Sequence, residues 1–198
     1  MRIGIYNGTF NPVHKAHLKI CQKLIKKGYV DKIIIIPTEK YWDKESEVSI
    51  KKRIIMLKLI ATDKITINTK LYHLNKTYEV LEEIKKLYPT AKLSIIIGAD
   101  NIIDFAKWYK YEELLKYNLI IMQRKKINIK KYLNALNKVN DYKIIKFRSA
   151  ISSSKIRKLL KENKLKKASK YLDKKVYKYI LENNLYEVEN VKINRINQ

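Results

Sequence analysis

Apolar residues in this chain come in short unbroken runs, separated by amphipathic stretches. Residues 3–6, 32–36, 93–97 and 118–122 are mostly continuous Ile, Leu or Tyr rather than alternating, and Pro37 and Gly98 close two of the runs. Continuous apolarity over so few residues predicts a strand covered on both faces, as in a parallel sheet. Residues 142–147 read as a further strand, and 65–71 carries short strand-like segments. The stretches between have helical spacing. Over 14–27, Leu18, Ile20, Cys21, Leu24 and Ile25 form an apolar face and Gly28 ends the pattern. Over 49–61, Ile50, Ile54, Leu57 and Ala61 share a stripe. Helices are also expected over 77–88, 129–136, 153–162 and 173–185, with one or two short ones within 102–116. Residues 39–48, polar around Tyr41 and Trp42, read as a loop, and 189–198 as a flexible tail.

Strands and helices therefore alternate from end to end. The expected fold class is α/β: a Rossmann-like doubly wound parallel sheet, with helices on both faces and a small C-terminal helical extension. No repeat or low-complexity linker interrupts the pattern, so 1–188 is expected to form one domain. In such folds ligands bind beyond the carboxyl ends of the strands. Asn7 to His17, Gly98 to Asp100, Gln123 to Arg124 and Ile151 to Ser154 each follow an expected strand. Their agreement points to one site on one edge of the sheet.

Composition changes this picture little. No segment has the uninterrupted apolar length of a membrane span, and Met1-Arg2 leads into a strand rather than a signal peptide, so a cytoplasmic protein without a membrane partner is expected. The single cysteine, Cys21, has no internal disulfide partner and suits buried filler. The net charge of +25 suggests polyanions. Yet the excess is lysine spread along the whole chain, within a Lys/Ile/Asn/Tyr bias of the kind an AT-rich coding sequence produces. Specific nucleic-acid binding is not expected; nonspecific attraction and faster capture of anionic substrates are. The only arginines are Arg2, Arg53, Arg124, Arg148, Arg157 and Arg195. Where lysine is the default cation, a retained arginine hints at a forked contact that lysine cannot make. Homo-oligomer formation is left open.

The chemistry concentrates in Gly8-Thr9-Phe10-Asn11-Pro12-Val13-His14-Lys15-Ala16-His17, which holds two of the three histidines. Gly8 permits a tight turn, Thr9 and Phe10 can offer backbone N–H groups to phosphate oxygens, and Pro12 stiffens the lead into the helix. His14 and His17 share a helix face, where imidazolium donors would stabilise charge on a phosphate. A capping turn with two surface histidines is the plainer reading. A metal pair would need further ligands, and the remaining histidine is His73. Ile151-Ser152-Ser153-Ser154-Lys155-Ile156-Arg157 opens another helix; hydroxyls, helix N–H groups and Arg157 suit an anion, though a serine cap alone would look the same.

Together these segments resemble the HIGH-motif nucleotidyltransferases, whose pattern is a strand, then G-[ST]-F-x-P-x-H-x-x-H, then a late I-S-S-[ST]-x-[IV]-[RK]. Within that superfamily the chain is most similar to the bacterial nicotinate-nucleotide adenylyltransferases. Lys51 to Leu57 resembles their arginine-containing second helix, Lys76-Thr77-Tyr78 the element before the next helix, Ile96 to Asn101 their I-I-G-x-D segment, and Phe105 to Tyr109 their F-x-x-W-Y/K element. The likeness runs over residues 1–187 in order. It implies AMP transfer from ATP to nicotinate mononucleotide, giving deamido-NAD and pyrophosphate, with Mg2+ accompanying ATP. It implies catalytic roles for His14, His17 and Arg157. It implies ATP contacts from these and from Gly8, Thr9, Phe10, Gly98, Asp100, Ser152 and Ser153. Substrate contacts would come from Thr77, Trp108, Tyr109, Arg124 and Lys44, with Trp108 stacked on the pyridine ring. Nicotinamide mononucleotide and phosphopantetheine are the rival acceptors, and a catalytically weak nucleotide-binding protein is the rival class. Three positions depart from the pattern. Asn7 replaces a glycine, and asparagine tolerates unusual φ. Asn11 replaces a frequent aspartate, which removes a negative charge near the phosphates. Ala16 replaces the glycine of H-x-G-H, and its methyl is expected to crowd the adenine.

Overall fold

The computed structural model describes residues 1–39, 46–124, 127–136, 139, 141–147, 149 and 151–188. Six parallel strands are formed by the described residues: β1 (Arg2–Gly8), β2 (Lys32–Pro37), β3 (Ile65–Ile67), β4 (Lys92–Gly98), β5 (Asn118–Gln123) and β6 (Tyr142–Lys146), in the order β3-β2-β1-β4-β5-β6. The helices are α1 (Lys15–Lys26), α2 (Ile50–Lys58), α3 (Thr77–Leu87), α4 (Tyr111–Leu114), α5 (Ile129–Asn134), α6 (Ser153–Lys161), α7 (Leu165–Ser169) and α8 (Lys174–Glu182). Two 3₁₀ turns, Phe105–Lys107 and Leu185–Glu187, complete the chain.

The isoleucine runs account for the layering. Successive strand side chains alternate faces, so a continuous run feeds both. Ile33 and Ile35 of β2 enter the core beneath α1, α2, α6 and α8, while Ile34 and Ile36 enter the core beneath α3, α4 and α5. β1 lies at the centre, paired with β2 on one side and β4 on the other. The strand order reverses between β1 and β4, which puts the crevice of a doubly wound sheet beyond Gly8 and Gly98. All strands are parallel, so the segments after β1, β4, β5 and β6 emerge on one edge.

Three expectations need correction. The strand at 65–71 stops at Ile67, because the Asn68 side chain accepts from the Lys70 and Leu71 N–H groups and turns the chain. The buried stripe of α2 is Ile50, Arg53, Met56 and Leu57, with Ala61 exposed, so the helix is rotated from its apolar pattern to bury an arginine. α7 adds a helix between the expected helices 153–162 and 173–185, where no element is assigned from sequence; its five residues are too short for a helical period to be visible. Cys21 is buried filler as expected, and burial pushes its thiol up to about 12. Among the described residues no helix is long and apolar enough to cross a membrane. Lys44, Tyr41 and Trp42, and the tail 189–198, lie outside the described residues.

Candidate active site

The turn after β1 is where the sheet order reverses. Its left-handed residue is Phe10, at φ 45°, whereas Asn7 and Gly8 are still strand residues. The expected bend at Asn7 or Gly8 is thus shifted along the chain. Gly8 serves a different need: a Cβ there would lie 3.1 Å from the Phe10 ring. A left-handed non-glycine residue costs on the order of 1–2 kcal/mol, and packing holds it. The Phe10 ring meets Tyr6 edge-on at 5.3 Å and His17 at 5.0 Å.

Four carbonyl oxygens of this turn are taken by donors from elsewhere in the chain. Gly8 O accepts from the Thr38 N–H at 2.9 Å, and Thr9 O from Arg53 Nη1 at 2.6 Å. Asn11 O accepts from Arg157 Nη1 at 2.8 Å, and Pro12 O from Ser153 Oγ at 3.0 Å. Across a trans peptide the N–H points opposite to the C=O. The N–H groups of Thr9, Phe10 and Val13 are therefore directed away from these donors, and the cis Asn11–Pro12 peptide has no N–H.

α1 opens on His14 as its N-cap. The His14 backbone N–H donates to His17 Nδ1 at 3.3 Å, and the two rings stack at 3.7 Å and 13°. The plainer expectation of two surface histidines is corrected here, as is the expectation that the pair is charged: His14 is 2% and His17 9% exposed. Burial, then the charge of Arg124, pushes His14 down to about 3. Burial, then His14 and Arg124, holds His17 well below its ordinary value. Both rings are neutral at neutral pH. Because His17 Nδ1 accepts, its proton resides on Nε2. Both ring nitrogens of His14 are buried without a hydrogen-bond partner among the described residues, a state that proteins seldom leave unsatisfied.

The other expected residues fall into two groups. Arg124, grouped by sequence with the substrate contacts, acts electrostatically on Tyr6, His14 and His17 and so belongs with the histidines. The Asp100 carboxylate folds over the strand end, with one oxygen 2.5 Å from where a Cβ on Gly98 would stand. Ser152 caps α6 by accepting from the Lys155 N–H. Ser153 and Arg157 reach the turn, but onto its carbonyls; Arg157 also pairs with Glu47 at 3.4 Å. The methyl of Ala16 is fully buried.

The second group lines a cavity of about 380 Å³ that includes Asn7, Gly8, Thr38, Thr77, Trp108 and Tyr109. Thr77 is the first residue of α3, where the helix offers its positive end. Trp108 is half-buried, its ring 5.0 Å from Phe105. Asn7 Oδ1 and Thr38 Oγ1 are buried without a partner among the described residues. A second, more open depression bordered by Tyr78, Lys110 and Glu113 holds none of the expected site residues. Among the described residues no group of three His, Cys, Asp or Glu is placed to hold a metal ion.

Sequence reading omitted Arg53, Thr38 and Tyr186 from the site. Arg53 had a signal, as an arginine kept in a lysine-rich chain. Tyr186, whose hydroxyl donates to Asn11 Oδ1 at 2.7 Å, had none.

A parallel sheet with a tight turn and stacked, buried histidines at its switch point defines a nucleotide-handling α/β enzyme. The chain belongs to the cytidylyltransferase-like family, whose model matches residues 5–159, and within it to the nicotinate-nucleotide adenylyltransferases. A protein of Endomicrobium trichonymphae assigned that name is 31% identical, over 94% of this chain and 99% of its own. One of Carboxydothermus hydrogenoformans is 33% identical, over 93% and 98%. Among solved structures, the Plasmodium falciparum nicotinic acid mononucleotide adenylyltransferase complexed with NaAD is similar at a TM-score of 0.80. It is 27% identical and covers 94% of this chain and 98% of that one.

Proposed function

We propose that this protein transfers AMP from ATP to nicotinate mononucleotide, releasing deamido-NAD and pyrophosphate, with residues 1–188 as the working unit. The observation that carries the reading is the cavity joining Gly8 of the histidine turn to Thr77, Trp108 and Tyr109. It gives a flat ring an indole to stack on within reach of the phosphate-directed amides. The family membership and the relatives described above support the same substrates.

In this scheme an oxygen of the mononucleotide phosphate forms a bond to the ATP α-phosphorus. The bond from that phosphorus to the bridging oxygen breaks in line, and pyrophosphate leaves with the electron pair. Such a reaction asks the protein for positioning and charge stabilisation rather than a nucleophile. The Thr9 and Phe10 amides and the Nε2–H of His17 donate to phosphate oxygens. His14 adds an uncommitted ring, and Arg124 supplies the full positive charge that the neutral histidines lack. Gly98 and Asp100 border the nucleotide, and Arg157 with Ser152 and Ser153 holds the turn that faces it. Thr77 and the Tyr109 amide take the nicotinate carboxylate at the positive end of α3. Magnesium enters as part of the substrate, on the ATP phosphates and its own water shell.

The test is pyrophosphate release by pure protein given ATP, magnesium and one acceptor at a time. Turnover is expected with nicotinate mononucleotide, at a higher kcat/KM than with the amide. No turnover with any pyridine mononucleotide, or faster turnover with phosphopantetheine, rejects the reading.

A further inference from the structure

Arg53 occupies the middle of the buried stripe of α2, where a leucine or methionine would suit the packing. It is 1% exposed. Among the described residues its hydrogen bonds are all to backbone carbonyls: Nε to Val48 O at 3.0 Å, Nη1 to Thr9 O at 2.6 Å and Thr38 O at 2.8 Å, and Nη2 to Glu39 O at 3.0 Å. Among the described residues it forms no salt bridge. A buried guanidinium without a directly paired carboxylate loses its hydration, and here the carbonyl dipoles around it and the more distant charge of Glu39 compensate. Holding α2 in place does not require such a group.

The acceptors identify what it does require. They belong to three separate segments: the turn after β1, the two residues after β2, and the residue two before α2. One nitrogen, Nη1, is shared between Thr9 O and Thr38 O, and so bridges the ends of two adjacent strands. Lysine, a point donor on a flexible stem, cannot span these four oxygens at once. The sequence keeps arginine at this position although lysine supplies nearly all of its other positive charge.

We propose that Arg53 is the positioning residue of the phosphate-binding turn. By drawing the Thr9 carbonyl toward α2, it turns the Phe10 N–H, on the opposite side of the same trans peptide, toward the nucleotide phosphates. The inference rests on the adenylyl-transfer reading and adds to it a residue that never touches substrate. Two physical effects act together. The fork fixes the rotation of the Thr9–Phe10 peptide and helps hold Phe10 at its left-handed φ. The charge on Arg53 polarises that peptide and makes the Phe10 N–H a stronger donor. The effect falls mainly on ATP: Arg53 donates to none of Thr77, Trp108 and Tyr109, and its one bond to the lining of their cavity is to the Thr38 backbone carbonyl.

The test compares full-length protein with Arg53→Lys by calorimetric titration, using ATP with magnesium and nicotinate mononucleotide in separate runs. Arg53→Lys is expected to stay folded and to bind ATP about tenfold more weakly, in the range of one lost charge-assisted hydrogen bond. Its affinity for the mononucleotide should stay within about threefold, and the KM for ATP should rise while that for the mononucleotide does not. Equal ATP affinity in the folded variant overturns the proposal. So does a parallel loss for both ligands, which is what a purely structural role would give. If Arg53→Lys fails to fold, an ester replacing the Thr9–Phe10 amide decides the matter, because it deletes the N–H and keeps Arg53. Lost ATP affinity in the ester supports the proposal, and unchanged affinity overturns it. Failure of the unaltered chain to bind ATP would instead bring down the adenylyl-transfer reading, and this inference with it.

Discussion

His17 Nδ1 accepts from the His14 N–H and closes the first turn of α1, and in the proposed reaction its Nε2–H donates to a phosphate. Glutamine at the third helical position can reach back to the cap in the same way. His17→Gln should therefore keep most of the thermal stability and lose kcat by orders of magnitude. His17→Ala should lose kcat and also about 1 kcal/mol of stability, a Tm drop of about 2–4 °C in a chain of this size. Scanning calorimetry beside the pyrophosphate assay separates the two. A His17→Gln enzyme with native kcat would remove the ring from catalysis. At this scale the sequence identified which residues gather but not what each would hold. Ser153 and Arg157 were legible as neighbours of an anion, yet their present bonds are to Pro12 O and Asn11 O. Burial was also invisible: nothing in one sequence says that Ala16 is covered and that the histidine pair is desolvated.

Elements were more legible than residues, and the reason is periodicity. Unbroken isoleucine runs can serve only strands with a core on both faces, so β2 and β4 were fixed by composition alone. α2 was misread in rotation because hydrophobic spacing cannot register an arginine buried by backbone carbonyls from other elements. The short turn Phe105–Lys107 had no period to read, yet it sets Trp108 against Phe105 and into the cavity wall. That arrangement makes a test at the level of elements. Trp108→Ala should raise the KM for the mononucleotide by far more than the KM for ATP, because the indole lies on the α3 side of the cavity and the amide-lined turn on the other. The opposite ordering in steady-state kinetics would mean the two substrates have been assigned to the wrong ends.

For the molecule as a whole, the buried histidines tie stability to pH. Folding pushes His14 down to about 3, and His17 well below the ordinary 6.5. As pH falls below 6.5 the unfolded chain takes up protons that the folded chain refuses, so protons favour unfolding. The contribution of the pair is intact above that value and declines as pH drops from 6.5 toward about 3. The Tm of the native protein should fall more steeply over this window than that of a His14→Gln/His17→Gln variant. Parallel curves would show that the histidines titrate as in water.

The convergence of donors on the turn after β1 also bears on when the protein becomes active. The partners of Thr9, Pro12 and Asn11 lie 44, 141 and up to 175 residues further along the chain. A growing polypeptide can assemble β1, α1 and β2 early, since their contacts are local. The turn itself waits for α6, and then for Tyr186, close to the end of the described chain. Contacts of such long sequence separation form late in folding. Synthesis therefore completes the turn only after its distant partners are made, and a chain cut short before them is expected to be catalytically silent although it already carries the signature residues.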